Sequence, residues 1–226
     1  EKRAELCRLR GFAADFYHGQ LIHNAAALRY QTEIRRHSPK VLEDCRVGYT
    51  AGSLVSYAMQ HKVDPASLVE IGLVRFEKGE YREYIPKNCF LYPHISNNRI
   101  LYFSFKDPRK QFRFQIPKRR ESPHGEMVTL HDPEWVCFGQ DALTYDGCFI
   151  VEGEDDRISL LDAGEPHVVA TMGAFCTPEV TGWLSLYAQG RTYHLCFDND
   201  DAGRRYEFHY SNTILKARGK VKLIHV

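Results

Sequence analysis

The chain has 226 residues, of which 43% are apolar and 26% charged, which excludes a disordered tail and allows one large domain or two small ones. A net charge of +1 neither favours nor excludes a polyanionic partner. No apolar run is long enough to span a bilayer and no signal-peptide pattern opens the chain, so a cytoplasmic location without a membrane partner is expected.

The opening segment EKRAELCRLRGF reads as the interior of a helix, which predicts a natural chain continuing upstream. Residues 1–47 read as helical, with apolar residues at helical spacing through Leu6, Leu9, Phe12, Ala13, Phe16 and Tyr17. A second helix is expected over about 24–36. Ser38-Pro39 pairs a cap with a first-turn proline and predicts a short helix through Asp44, and Asp64-Pro65 repeats the signal for a helix ending near Gly72. From Gly72 to about Pro117 the runs GLVRF, CFLYPHI, RILYFSF and FRFQI read as strands separated by KGE, SNN and DPRK, with 96–99 suited to a hairpin turn. Residues 118–135 show no period and read as a loop.

From Cys148 the pattern alternates: GCFIV, HVVAT, TYHLCFD and KVKLIHV read as strands, with helices over DRISLLDAG, TPEVTGWLSLYAQG and DAGRRYEFHYSNTILKARG. Thr177 is the expected cap of the middle helix. Such alternation predicts a parallel α/β sheet. The expected architecture is an α+β subdomain over 1–135, with helices over 1–72 and a small mixed or antiparallel sheet over 73–120. An α/β subdomain with a mainly parallel sheet follows over 136–226.

Seven cysteines, Cys7, Cys45, Cys89, Cys137, Cys148, Cys176 and Cys196, are scattered and form no C-x-x-C pair. They read as buried reduced thiols, and no zinc is expected. The histidines show no H-x-x-x-H or H-E-x-x-H spacing, so none is assigned to a metal.

In a parallel sheet, functional residues gather at the carboxyl ends of strands. Two acidic clusters fall there: Glu152-Gly153 followed by Glu154, Asp155 and Asp156, and Asp198-Asn199-Asp200. If the two strands are neighbours, Glu152, Asp198 and Asp200 converge. Three close carboxylates repel, and a hard divalent cation such as Mg²⁺ removes that conflict. Gly153 would let the backbone approach a ligand closely. The plainer alternative is that Asp200 and Asp201 favour a helix N-terminus and that 154–156 form a solvated turn. The coincidence of two clusters at equivalent strand ends favours the metal. Basic residues crowd 106–120, and a protein holding both a cation and a polyanion needs both kinds of patch. The interleaved Phe103, Phe105, Phe112 and Phe114 have period-2 spacing, which favours packing on one sheet face over base stacking.

The paired signature GCFIVEGEDDRISLLDAGEPHVVATMGAF and HLCFDNDDAGRR resembles the TOPRIM domain of DnaG-type primases, topoisomerases and some nucleases. Glu152, Gly153 and Asp156 match its E-G-x-x-D, and Asp198 and Asp200 its D-x-D. AGEPHVVATMGAFCTPE and FDNDDAGRR resemble the primase branch. Upstream, AALRYQTEIRRHSPKVLEDCRVGYT and CFLYPHISNNRILYFSFK are similar to the rest of the primase catalytic core. Two departures stand out: Lys106 replaces an arginine that ends the family's G-F-G-G-R, and PKRRESP matches K-Y-x-N-S-P only loosely. The cysteine-rich zinc module of primases is not in this sequence, and a further acidic motif would lie past Val226. The resemblance therefore predicts the excised core of a divergent primase of phage or mobile-element type, truncated at its C-terminus.

That resemblance implies primer synthesis by nucleotidyl transfer, with one or two Mg²⁺ or Mn²⁺ ions held by Glu152, Asp198 and Asp200 and supported by Asp156. Glu152 stands open as ligand or general base. Lys106, Lys118, Arg119 and Arg120 are expected on phosphates of template or nucleotide. Thr171 and Gly173 suit either a phosphate contact or a tight turn, and Arg204 either faces the acidic site or is a solvated helix charge. The implied partners are a single-stranded DNA template, ribonucleoside triphosphates, and a replicative helicase reached through regions outside this sequence. A TOPRIM-type nuclease and a non-catalytic nucleic-acid-binding module are the alternatives. A topoisomerase fits less well, since no tyrosine sits in an obvious nucleophile module.

Overall fold

Asn24 decides where the first helix stops. Its extended backbone (φ −103°, ψ 96°) ends α1 (Lys2–His23), and its side chain accepts the Ala27 N–H at 3.0 Å to start α2 (Ala25–Arg29). The computed structural model describes residues 1–109, 113–115, 119–121, 127–172 and 177–224. These divide into two compact units, Glu1–Trp135 and Val136–Val226.

In the first unit the helix expected to reach residue 36 changes pitch instead. A π-helical turn, Tyr30–Ile34, follows α2, and beyond it His37 Nδ1 lies 2.9 Å from the buried Gln31 Oε1. Ser38 accepts the Val41 N–H and opens α3 (Pro39–Asp44). After β1 (Gly48–Tyr49) comes a helix the sequence did not announce, α4 (Leu54–Gln60), capped by Ser53. Asp64 then caps α5 (Pro65–Val69) through the Ala66 N–H at 2.9 Å. A two-stranded hairpin follows, β2 (Val74–Glu77) with β3 (Glu80–Glu83).

The main sheet of this unit adds β4 (Phe90–Ser96), β5 (Arg99–Lys106) and β6 (Arg113–Gln115), in the order β1-β4-β5-β6 with every neighbour antiparallel. Asn97 and Asn98 both have left-handed φ (48° and 59°), as a two-residue hairpin turn requires. Residues 100–105 are all buried, so both faces of β5 are covered. Phe103 and Phe105 are therefore packing residues. α1 packs on β1 and β5, and its approach to β1 is close: a Cβ on Gly48 would lie 2.7 Å from Tyr17 Cβ. The stretch 118–135, expected to be a loop, contains a strand pair, β7 (Arg119–Glu121) with β8 (Met127–Thr129). At its end Trp135 donates to His94 Nδ1 at 2.8 Å, inside a buried cluster with Tyr102.

The second unit is a parallel sheet crossed by helices. In chain order it holds a 3₁₀ turn (Gln140–Thr144), β9 (Cys148–Val151), α6 (Glu154–Asp162), β10 (Val168–Ala170), α7 (Pro178–Tyr187), β11 (Thr192–Cys196), α8 (Asp201–Lys216) and β12 (Lys220–Leu223). Thr177 caps α7 as expected. The strand order is β10-β9-β11-β12, all parallel. Cys148, Ile150, Tyr193 and Leu195 alternate inward with Val180 and Leu184 of α7 and Tyr210 and Ile214 of α8, forming one continuous core. The Tyr193 hydroxyl donates to the Leu143 carbonyl at 2.7 Å, which supplies the partner a buried phenol needs. The six described cysteines are thiols outside any disulfide, four of them buried. Burial pushes the Cys148 thiol well up and that of Cys196 to about 11. Cys176 lies outside the described residues. Among the described residues no helix is long and apolar enough to cross a membrane.

Candidate metal and phosphate site

The strand order reverses at β9. From β9 the chain passes through α6 to β10 on one side, then returns across β9 to β11 on the other and continues outward to β12. The connections leaving β9 and β11 therefore run in opposite directions along the sheet. This reversal is the place where open α/β sheets bind ligands. Glu152 is the first residue after β9, and Asp198 is the second after β11. Val151 pairs with Cys196 on one side and with Ala170 on the other, so Glu152, Phe197 and Thr171 come level at one edge with Asp198 a residue beyond. The condition that the two acidic strands be neighbours is met.

Each loop is shaped by its acids. Asp156 Oδ2 accepts the Gly153 N–H at 2.8 Å, closing half of a capping box that starts α6. Asp200 Oδ1 accepts the Gly203 N–H at 2.8 Å and caps α8, while the Asp200 N–H reaches back to the Asp198 carbonyl at 2.8 Å. Gly203 is fixed by that turn. A Cβ there would sit 1.9 Å from the Asp198 carbonyl oxygen, so no larger residue fits without moving the D-x-D loop. The sequence reading gave Gly203 no role, although a glycine in the first turn of a helix is a signal, because it weakens helix formation unless space demands it.

Glu152 is half-buried, and Asp198 and Asp200 are exposed. Among the described residues no three or more Asp, Glu, His or Cys side chains gather closely enough to hold an ion. Asp156 and Asp200 each give one oxygen to a helix start. The donor chemistry nevertheless fits a hard divalent cation: the set is all oxygen, it sits at two adjacent strand ends, and each capping bond engages one oxygen of a two-oxygen group. A further polar atom lies at this edge. The Thr171 hydroxyl is buried and has no hydrogen-bond partner among the described residues, although the Thr171 N–H donates to Val151 at 3.0 Å.

Residues 149–226 match the Toprim-like family. Over 219 residues the chain is 29% identical to a DNA primase from Synechococcus elongatus, an alignment covering 90% of this chain and 30% of that protein. The zinc-binding and RNA polymerase domains of the Aquifex aeolicus primase superpose with a TM-score of 0.78 at 21% identity, over all of this chain and 56% of that one. A DnaG primase catalytic domain bound to single-stranded DNA gives 0.76 at 18% identity, over all of this chain and 72% of that one. The chain has the fold of the DnaG primase catalytic core. It spans under a third of the length of the Synechococcus primase.

The other expected site residues lie on several elements of the two units. Arg204 turns to its own helix start, donating to Asn199 Oδ1 at 3.3 Å and to Asp201. Its guanidinium holds the Asp201 carboxyl below the usual carboxylate range. Lys106 ends β5, half-buried, in register with Phe90 and Arg113. Arg119 and Arg120 are placed by their backbone on β7, opposite Thr129 and Val128. Lys118, Gly173 and Phe112 lie outside the described residues.

Proposed function

We propose that this chain is the catalytic core of a primase, synthesising short RNA primers on single-stranded DNA from ribonucleoside triphosphates. The carrying observation is the placement of Glu152 and the Asp198-x-Asp200 pair at the reversal point of the parallel sheet. The likeness to primases extends beyond this unit to nearly the whole chain, which favours primer synthesis over a Toprim nuclease.

Asp198, Asp200 and Glu152 would hold one or two Mg²⁺ or Mn²⁺ ions. When bound, such an ion neutralises charge on the triphosphate and polarises the phosphate under attack. Asp156 fixes the backbone of Gly153 at the head of α6 and so sets where Glu152 leaves its strand. The Thr171 hydroxyl, buried and lacking a partner among the described residues, suits a phosphate oxygen at the same edge. Lys106, Arg119, Arg120 and Arg204 supply positive charge for polynucleotide or nucleotide phosphates, with Lys118 and Gly173 assigned to the same task from sequence.

The test is a single-stranded template with labelled ribonucleotides and Mg²⁺ or Mn²⁺. Wild type is expected to make short RNA, and Asp198→Ala to lose roughly a thousandfold of that activity, the equivalent of several kcal/mol of charge stabilisation. Metal-dependent loss of the template without synthesis would replace this reading with a nuclease. Tight DNA binding with neither product would replace it with a binding module.

A further inference from the structure

A second polar site lies wholly within the first unit. A cavity of about 300 Å³ is walled by Tyr17 of α1, Thr50 after β1, Arg75 of β2, Arg82 and Glu83 of β3, and Lys87 before β4. None of the acidic edge residues contributes to it.

Three features make it an anion site. First, Arg75 and Arg82 face each other directly in the β2–β3 register. Like charges directly opposed across a hairpin are destabilising, and the ion pairs offered to them do not remove the conflict. Arg75 meets Glu77 at 3.2 Å and Arg82 meets Glu80 at 3.0 Å, and all four side chains are more than a third exposed, where such pairs contribute little. Each pair engages one terminal nitrogen of its guanidinium. Second, two donors are buried with no hydrogen-bond partner among the described residues: the Tyr17 hydroxyl and Arg75 Nε. A buried, unsatisfied donor costs about 1–3 kcal/mol, and here two of them border one cavity. Third, the acceptors in the wall are largely engaged, with both contacts of Glu83 made by Oε1 alone. Glu83 takes the Ser53 hydroxyl at 2.8 Å and the Val55 N–H at 3.0 Å, holding the start of α4. Thr50 donates to the Pro86 carbonyl at 2.7 Å and accepts the Cys89 N–H at 2.9 Å, holding the turn that carries Lys87. Against the single carboxylate of Glu83, the cavity offers a phenol O–H, guanidinium N–H groups and an ammonium, so its donors and positive charges predominate.

We propose that this cavity binds a terminal phosphate group, as carried by pyrophosphate or a nucleoside polyphosphate. Planar guanidinium forks match phosphate oxygens, and several acceptor oxygens on one small anion can satisfy Tyr17, Arg75, Arg82 and Lys87 together. A volume near the lower end of small-ligand pockets suits a chain-end phosphate better than a diester inside a polymer. The proposal does not depend on the primase reading.

The probe is pyrophosphate, titrated calorimetrically into the intact chain in EDTA, where the acidic edge lacks a cation and repels anions. Binding is expected, with Arg75→Gln/Arg82→Gln weakening it at least about tenfold and Tyr17→Phe roughly threefold to tenfold. Both variants are expected to fold, since one relieves a like-charge pair and the other removes a hydroxyl with no partner among the described residues; a thermal melt checks this. Asp198→Ala is expected to bind pyrophosphate as wild type does. Absence of binding, equal affinity in the arginine variant, or loss of binding in Asp198→Ala would overturn the site. A 5′-hydroxyl DNA oligonucleotide that displaces pyrophosphate as well as a 5′-phosphorylated one would overturn the choice of a terminal phosphate. Failure of RNA synthesis with pyrophosphate binding intact would count against the primase reading alone.

Discussion

Gly203 shows how one missing side chain can govern a site it does not line. The backbone of α8 passes so close to Asp198 that a Cβ would meet its carbonyl oxygen at 1.9 Å. Gly203→Ala must push the D-x-D loop away from the helix. The expected cost is roughly 1–3 kcal/mol of stability, as for other overpacked sites. Primer synthesis is expected to fall further than that loss of folded protein explains, because both aspartates ride on the displaced loop. Melting curves and synthesis rates at a temperature where the variant is fully folded check the two effects separately. At this scale the acids were legible in the sequence, since their chemistry is in their side chains and their spacing survives in one dimension. The Thr171 hydroxyl, lacking a partner among the described residues, and the facing Arg75 and Arg82 were not. Their meaning comes from burial and from a strand register that no local pattern encodes.

The start of α6 carries two possible duties for one carboxylate. Asp156 accepts the Gly153 N–H, and in the proposed function it also adds negative charge near the metal ligands. Asn keeps an acceptor and drops the charge, whereas Ala drops both. Asp156→Ala is expected to cost about 1 kcal/mol, in line with other helix caps, while Asp156→Asn stays within a few tenths. If the charge supports metal binding, both variants need more Mg²⁺ for half-maximal synthesis; equal Mg²⁺ titrations for Asn and wild type would leave only the cap. Other elements were legible in proportion to their periodicity and caps. Ser38, Asp64 and Thr177 announced their helices, and the alternation after residue 148 announced the parallel sheet. β3, with the exposed and charged sequence EYRE, shows no apolar alternation. α4 follows Ser53 without a proline or an acidic first turn to mark it. The β7–β8 pair is two three-residue strands, too short for any period to show. The π-turn after α2 depends on where Gln31 and His37 bury, which is a tertiary fact.

Taken whole, the chain is two units with separate cores, and the first closes on itself through charge. Arg3, near the start of α1, holds Asp132 with two hydrogen bonds of 2.9 and 3.1 Å and also meets Glu134. Arg99 holds Glu134 from β5. Burial, the largest single influence, pushes the Asp132 carboxyl up, but the hydrogen bonds from Arg3 and the Glu134 N–H together with the charges of Arg3 and Arg10 outweigh it, and the group settles below its usual range. Glu134 is lowered too, first by Arg3 and then by Arg99. A carboxylate lowered by folding stabilises the fold fully above its unfolded pKa, and that contribution is lost as pH falls through the folded value. The melting temperature of the first unit is therefore expected to drop below the ordinary carboxylate range. Asp132→Asn should be less stable at neutral pH and should show a shallower fall in acid. A variant with the same acid slope as wild type would remove this tie from the account.

The two tryptophans of the chain fall one to each unit. Trp135 is enclosed with Tyr102, 5% exposed and bonded to His94. Trp183 rides on α7, half-buried against the second core. The molecule thus carries a native optical reporter in each half. Emission from Trp135 belongs to a dry site shielded from aqueous quenchers, and that from Trp183 to a wetter one. With one indole replaced by phenylalanine, the other gives the opening and closing of its own half in real time, with no dye attached and no cysteine consumed.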